Sequence, residues 1–205
     1  MTIKYLEYLK RIQSLAKTGI IYAENPYDLD RCEEINKLSL EMLALLGNTI
    51  PEKIEHLYMD DKTYPTPKVD VRGVVFKNKK ILMVQEKTDS YWSLPGGWAD
   101  IGYSASEIAE KEVFEESGLK VKSKKLLAVM DITKHYHPPS AYYIYKIFIL
   151  CEITGGKLNN GYETKDTGFF GLDELPELST HRITTDQIKN MFEFYNNPEK
   201  PALFD

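Results

Sequence analysis

Cysteine is scarce in this chain of 205 residues: Cys32 and Cys151 stand apart, neither belongs to a CxxC pair, and no disulfide framework is evident. Both are expected to be free thiols. Long apolar runs are missing as well, so no segment approaches a membrane span. The opening stretch MTIKYLEYLKRIQSLAKTG is amphipathic and charged throughout, without the apolar core of a signal peptide. The cytoplasm is therefore the expected compartment. Excess positive charge is also absent. A net charge of −5 argues against a broad phosphate-binding footprint on nucleic acid, though not against a nucleotide held in a pocket. No repeat or low-complexity tract appears, and 42% hydrophobic with 28% charged residues is a globular composition.

What is present in unusual density is acid, stacked where a helix least tolerates it. In GGWADIGYSASEIAEKEVFEESGL, Ser104 followed three residues later by Glu107 reads as a capping box, and Gly118 is placed to close the helix in the left-handed conformation. The helix is expected from Ala105 to Ser117. Glu112, Glu115 and Glu116 fall at i, i+3 and i+4 on one face. All three lie near the C-terminal end, where the macrodipole disfavours each anion by roughly 0.3–1 kcal/mol and the charges repel one another. A bound cation removes both penalties, and carboxylate oxygens suit hard ions such as Mg2+ or Mn2+. The alternative is a solvated acidic face. Just upstream, the apolar stretch Trp92–Pro95 runs into Gly96-Gly97, read as a glycine turn where backbone can approach an ion or a phosphate.

These residues resemble the Nudix hydrolases, whose box has the form G-x5-E-x7-R-E-U-x-E-E-x-G-U, with U aliphatic. Gly97, Glu112, Val113, Glu115, Glu116, Gly118 and Leu119 fall on it at the right spacing. Two positions depart: Tyr103 occupies the first Glu position and Lys111 the Arg position. Tyr103 supplies no carboxylate, and Lys111 keeps the charge but loses the bidentate fork. Glu107, four residues before Lys111, is a candidate to take over the pairing, provided that the capping box does not hold it. The resemblance implies a metal site built from Gly96, through its carbonyl, and Glu112, Glu115 and Glu116.

The first sixty or so residues read as a separate helical unit. Apolar residues recur at helical spacing from Ile3 to Leu15 and from Ile35 to Leu46, and a further short helix is expected at Glu52–Tyr58. Such a unit rarely buries enough surface to stand alone. Its segment KTGIIYAENPYDLDRCEEI resembles the helical domain attached to certain Nudix enzymes acting on X-linked nucleoside diphosphates, which implies a homodimer. An extended connection over residues 60–68, with Pro65 and Pro67, marks the boundary. Two strands flanking a turn at Asn78 form an expected hairpin, followed by a strand pair at Lys125–Thr133 and Tyr142–Ile153 and a helix at Thr184–Tyr195. The order is α/β. The resemblance implies a Nudix α/β/α sandwich with a mixed sheet over residues 64–205, preceded by a small all-α domain over 1–63.

Several further residues carry two readings each. Arg72 is either a partner of Asp70 or another core carboxylate, or a phosphate clamp. His135 and His137, in HYHPP, have no sulfur or acid neighbours and make a weak metal pair; a turn or a loop over the substrate is the better reading. Glu163 and Asp166 precede Phe169-Phe170 in what reads as an acidic loop. The resemblance implies that a carboxylate from this region assists metal binding or serves as general base. Tyr91, Trp92, Trp98, Tyr103 and Tyr136 surround the site in sequence, either as core or as faces for a base or a quaternary ammonium group.

The function implied is metal-dependent hydrolysis of the pyrophosphate in a nucleoside diphosphate linked to a group X. Glu112, Glu116 and Glu163 are the expected catalytic carboxylates, with Glu112 or Glu163 as base; Arg72, Trp98, Tyr103, Tyr136 and Asp166 are the expected substrate contacts. CDP-choline is favoured over ADP-ribose by the aromatic supply. RNA-end hydrolysis and a non-catalytic nucleotide-sensing module are the alternatives. No membrane partner is expected.

Overall fold

A computed structural model describes residues 2–58 and 64–205. Of the expected extended connection at 60–68, residues 60–63 lie outside the described residues. The chain divides into two compact units, residues 1–67 with 139–142, and residues 68–138 with 143–205.

The first unit contains α1 (Thr2–Tyr22), α2 (Pro26–Leu46) and α3 (Pro51–Tyr58). The side chain of Asn25 caps α2 by accepting from the Asp28 amide, and Pro26 follows at the first helical position, where a missing N–H costs nothing. Helices α1 and α2 therefore extend further towards each other than the apolar repeats indicate. They bury Leu9, Gln13 and Ala16 on α1 and Leu40, Leu43 and Ala44 on α2. Gly19 faces Cys32 so closely that a β-carbon would fall 2.4 Å from the Cys32 sulfur. Tyr5, Tyr8, Ile12 and Leu15 on α1, and Ile35, Leu38, Met42 and Leu45 on α2, stay exposed at the same helical spacing.

The second unit is a mixed sheet between two helices. Its strands are β1 (Lys68–Lys77), β2 (Lys80–Glu86), β3 (Trp92–Ser93), β4 (Gly96–Trp98), β5 (Leu119–Asp131), β6 (Ile144–Gly156), β7 (Thr164–Phe170) and β8 (Leu203–Phe204). Helix α4 spans Ala105–Ser117 and α5 spans Thr185–Asn196. The hairpin between β1 and β2 turns on Asn78 and Lys79, both at positive φ (51° and 60°), as a two-residue turn of matching twist requires. Strand β1 pairs parallel with β6 along most of its length and antiparallel with β4 at its start; β2 pairs with β3 and β7. On one face Ile108, Ala109 and Val113 of α4 pack on Val71, Val75, Leu82 and Ile149. On the other, Ile188, Met191 and Phe192 of α5 pack on Val74, Ile81, Met83 and Phe148. Alternate residues of β1 thus serve opposite layers.

Three local expectations need correction. Gly96 and Gly97 lie on β4, opposite Arg72 and Val71, and form no isolated turn. Asp166 lies on β7 opposite Gln85, because TKDTGFF pairs with β2 instead of forming a loop. The strand expected from Lys125 begins at Leu119, directly after Gly118, and irregular register along β5 obscures its alternation. Helix α4 has the expected bounds and capping box, with Gly118 left-handed at φ 70°, and α5 opens on a second box between Thr184 and Gln187.

Candidate active site

Helix α4 meets β4 at Glu116. Its carboxylate is 7% exposed and accepts the Gly96 amide at 3.0 Å. The approach depends on glycine: Gly96 has φ 147°, and a β-carbon there would lie 2.0 Å from the Val71 carbonyl oxygen. Its neighbour Gly97 packs on Glu112, whose nearest carboxylate oxygen would be 3.4 Å from a β-carbon on that glycine. Two carboxylates one helical turn apart are thereby set along one glycine strand.

Burial determines their electrostatics. Desolvation raises the Glu116 pKa to about 8, further aided by the charges of Glu86 and Glu112 and opposed by Arg72 and the Gly96 hydrogen bond. Desolvation likewise raises Glu112, opposed by Lys111. Glu86, at the end of β2, is 6% exposed. Its pKa is raised by desolvation, and Arg182 opposes this across 3.2 Å.

Lys111 is the local counter-charge. Its ammonium lies 3.3 Å from Asp100, 3.4 Å from Glu115 and 3.6 Å from Glu112. The expected pairing with Glu107 does not form, because Glu107 Oε2 accepts both the Ser104 amide (2.8 Å) and the Ser104 hydroxyl (2.7 Å). Asp100, three residues before Tyr103, supplies an acid to this lysine where Tyr103 cannot. Glu115 is exposed and shares Lys111 with Glu112.

Arg72 is buried and bidentate to Asp70, with both contacts at 2.7 Å, and it donates to the Ser93 hydroxyl (3.0 Å) and the Leu94 carbonyl (2.9 Å). Lys146 reaches Asp70 at 3.1 Å. Despite burial, these two cations hold the Asp70 carboxyl below its usual range, so the Asp70 partnership is the geometry seen for Arg72. Glu163 is exposed at the start of β7, within electrostatic reach of Glu86. Asp166 is exposed and accepts from the Thr167 amide. Trp98 and Tyr103 are about half exposed and Tyr136 is 91% exposed; Lys68 lies over the Trp98 ring at 5.4 Å from its centroid. Trp92 is core, edge-on to Phe170.

The histidines serve the C-terminal segment. His135 meets Asp205 at 3.2 Å. His137 lies 2.8 Å from the Thr180 carbonyl oxygen and 3.1 Å from Gln187 Oε1, and burial lowers its pKa to about 4.

Sequence reasoning missed Glu86, Asp100, Lys146 and Arg182, whereas the Asp70 partnership of Arg72 was one of its two readings of that arginine. One signal was available for Glu86: an acid ends the apolar run ILMVQE, where burial demands a partner.

Among the described residues no three His, Cys, Asp or Glu side chains converge on one point that could hold a metal ion. The donor chemistry nonetheless fits a hard divalent cation. Glu116 and Glu86 are buried and Glu112 is half-buried, all three have raised pKa values, and the charges of Glu86 and Glu112 act on Glu116; a cation would replace the protons that burial otherwise favours.

Comparison with known proteins extends this picture. Residues 66–191 match the model of the NUDIX domain, and residues 3–58 match a model described as a UDP-X-like, N-terminal oligomerisation domain. A Bacillus subtilis protein, YjhB, whose name gives it provisionally as an ADP-ribose pyrophosphatase, is 46% identical over 202 residues, covering 98% of this chain and 97% of its own. The crystal structure of a UDP-X diphosphatase is similar over 100% of this chain and 99% of that one, at 31% identity and a TM-score of 0.65. That of an ADP-ribose pyrophosphatase from Streptococcus suis covers 68% of this chain and 100% of its own, at 40% identity and a TM-score of 0.63.

The raised pKa of Glu116 has a measurable sign. The folded state holds this proton more tightly than the unfolded state, so its contribution to stability is full below pH 4.5 and is lost as pH rises towards 8. His137, depressed to about 4 from 6.5, and Lys146, depressed to about 8 from 10.5, act oppositely but outside the window from 6.5 to 8. In that window metal-free protein should lose stability with rising pH, by at most about 1.4 kcal/mol per pH unit from Glu116. Glu116→Gln should flatten the slope. Urea denaturation at stepped pH measures it, and an equal slope in both proteins would contradict the assignment.

Proposed function

The chain belongs to the Nudix hydrolase family, and on that premise we propose that it hydrolyses ADP-ribose to AMP and ribose 5-phosphate with the help of a divalent cation. Members of this group are pyrophosphohydrolases of nucleoside-diphosphate-linked substrates. One observation carries the choice among them: full-length similarity at 46% identity to a relative whose name specifies ADP-ribose. The site geometry favours the same direction. The aromatic side chains expected to enclose a quaternary ammonium group are spread over β4 and two loops, Tyr136 is 91% exposed, and Trp98 already has the Lys68 ammonium over its ring. Support therefore moves from CDP-choline to ADP-ribose.

In the reaction one water adds across the P–O–P bridge: its oxygen bonds to one phosphorus, the bridging oxygen leaves with the other, and the excess proton passes to a base. A bound Mg2+ or Mn2+, held by Glu112, Glu115, Glu116 and the Gly96 carbonyl, would supply neutralisation of the diphosphate and acidification of the water. The chain's own groups do the rest. The Gly96 amide fixes the Glu116 carboxylate, Lys111 balances the outer acids, and Glu112 or Glu163 accepts the proton. Arg72 holds Asp70 and the end of β3 and so maintains the wall on which β4 rests.

The first unit is proposed to dimerise. Exposed apolar residues recur at helical spacing along both α1 and α2, the kind of surface that a second copy covers.

Incubation with Mn2+ or Mg2+ and a panel of ADP-ribose, CDP-choline, nucleotide sugars and triphosphorylated RNA should release AMP from ADP-ribose fastest. Glu116→Gln should lower that rate by about a hundredfold or more with an intact fold. Faster turnover of another panel member would reassign the substrate, and no turnover at all would sink the hydrolase reading. Sedimentation equilibrium should show a dimer at micromolar concentration. Leu15→Glu with Leu38→Glu should yield monomers, and a wild-type monomer would refute the interface.

A further inference from the structure

The end of α4 is closed by a junction that the reaction as described does not use. A helix leaves its last carbonyls without intrahelical partners. Here the Glu116 carbonyl accepts the Thr164 hydroxyl at 3.0 Å and the Gly161 amide at 3.2 Å, and the Ser117 carbonyl accepts the Asn159 amide at 2.9 Å. The same Gly161 amide also reaches the Thr164 hydroxyl oxygen at 2.7 Å. One hydroxyl thus donates to the helix and accepts from the loop, with its single proton and one lone pair both engaged.

The position of this hydroxyl is unusual. Thr164 is 1% exposed, opens β7, and pairs with Glu86 across a register shift in β2. Glu163 precedes it, and the Glu163 carbonyl accepts the Lys87 amide at 3.0 Å. The loop lies against α4 so tightly that a β-carbon on Gly161 would fall 2.1 Å from the Glu115 carbonyl oxygen and 2.8 Å from the Glu116 Cα. Glu116 is consequently held at both ends, its carboxylate by Gly96 and its carbonyl by Thr164 and Gly161. Thr164 thus joins three elements that carry acids: its hydroxyl holds the Glu116 carbonyl on α4, its backbone pairs with Glu86 on β2, and it directly follows Glu163 in the chain.

We propose that Thr164 is a positioning residue for the hydrolytic site: its hydroxyl sets the spacing of Glu116 on α4 relative to Glu86 on β2 and Glu163 before β7. Without this hydroxyl α4 retains its Gly118 cap, with the Gly118 amide 2.8 Å from the Phe114 carbonyl oxygen, and its packing on β1, so the fold is expected to survive its loss. Turnover does need it, because misplacement of about 1 Å at a reacting group costs up to about a hundredfold in rate.

This inference rests on the hydrolase reading, and its test is arranged to be separable from it. Thr164→Val keeps the shape and deletes both hydrogen bonds, whereas Thr164→Ser keeps both. With ADP-ribose, kcat of the valine variant should fall about tenfold or more with KM within about twofold, and serine should return most of the rate. Mn2+ affinity, read from the free-ion electron paramagnetic resonance signal, should weaken about tenfold in the valine variant and recover with serine. The Mn2+ measurement tests the junction even if no panel substrate is turned over. Thr164→Ala repeats the comparison should the valine variant fail to fold. Wild-type kcat and Mn2+ affinity in the valine variant would overturn the proposal, as would equal losses in valine and serine variants. Loss of folding in both the valine and alanine variants would also overturn it, since the hydroxyl would then be a structural requirement.

Discussion

Everything at this site depends on a carboxylate placed where helix and burial both disfavour it. Glu116 sits in the last turn of α4, near the negative end of the macrodipole, and is almost wholly withdrawn from water. One backbone amide, that of Gly96, accompanies it. A single neutral hydrogen bond offsets only part of the cost of a buried charge, so the carboxyl keeps a proton near neutral pH or exchanges it for a cation. The remaining groups around it can be understood as responses to that pressure. Arg72 lies near enough to lower its pKa while being neutralised by Asp70, Lys111 attends to the outer acids, and Arg182 attends to Glu86.

The fold supplies the rigidity that this arrangement requires. Strand β4 is only three residues long, yet β1 pairs with it along its whole length and with β6 on the other side, which fixes the Gly96 amide to the centre of the sheet. Gly73 of β1 lets α4 approach: a β-carbon there would lie 2.4 Å from a Val113 methyl carbon. The acidic helix is thus pressed onto the sheet at one end of its apolar face and clamped by the 159–164 loop at the other. Strain at Gly96 and close approach at Gly73 and Gly161 are three places where glycine lets backbone come close to its neighbours around α4.

Much of this was legible in the sequence because it is local. A capping box, a closing glycine and acids at i, i+3 and i+4 define α4 to the residue, and the same spacing carries the resemblance to the Nudix box. The two departures from that box were visible too, but their resolution was not. Glu107 was an available partner for Lys111 by helical spacing, yet its own cap claims it, and Asp100 takes the place from a loop whose path spacing cannot give. Strand β7 escaped notice because its TKDTG start is polar and only pairing with β2 makes it a strand. Glu86, Lys146 and Arg182 act through contacts across 75 to 100 positions of chain or across the sheet, and composition carries no trace of those. The helical hairpin was legible from its apolar repeats, whereas which stripe is buried and which exposed required the packed structure.

Glu116, with its pKa raised by burial to about 8, is expected to carry a proton near neutral pH that a bound divalent cation would displace. Titration calorimetry of Mn2+ binding near pH 7, repeated in buffers of different ionisation enthalpy, counts the protons released. About one proton or more per bound ion should leave the wild-type protein, and Glu116→Gln should abolish most of that release. Cation binding at pH 7 without proton release would contradict the account.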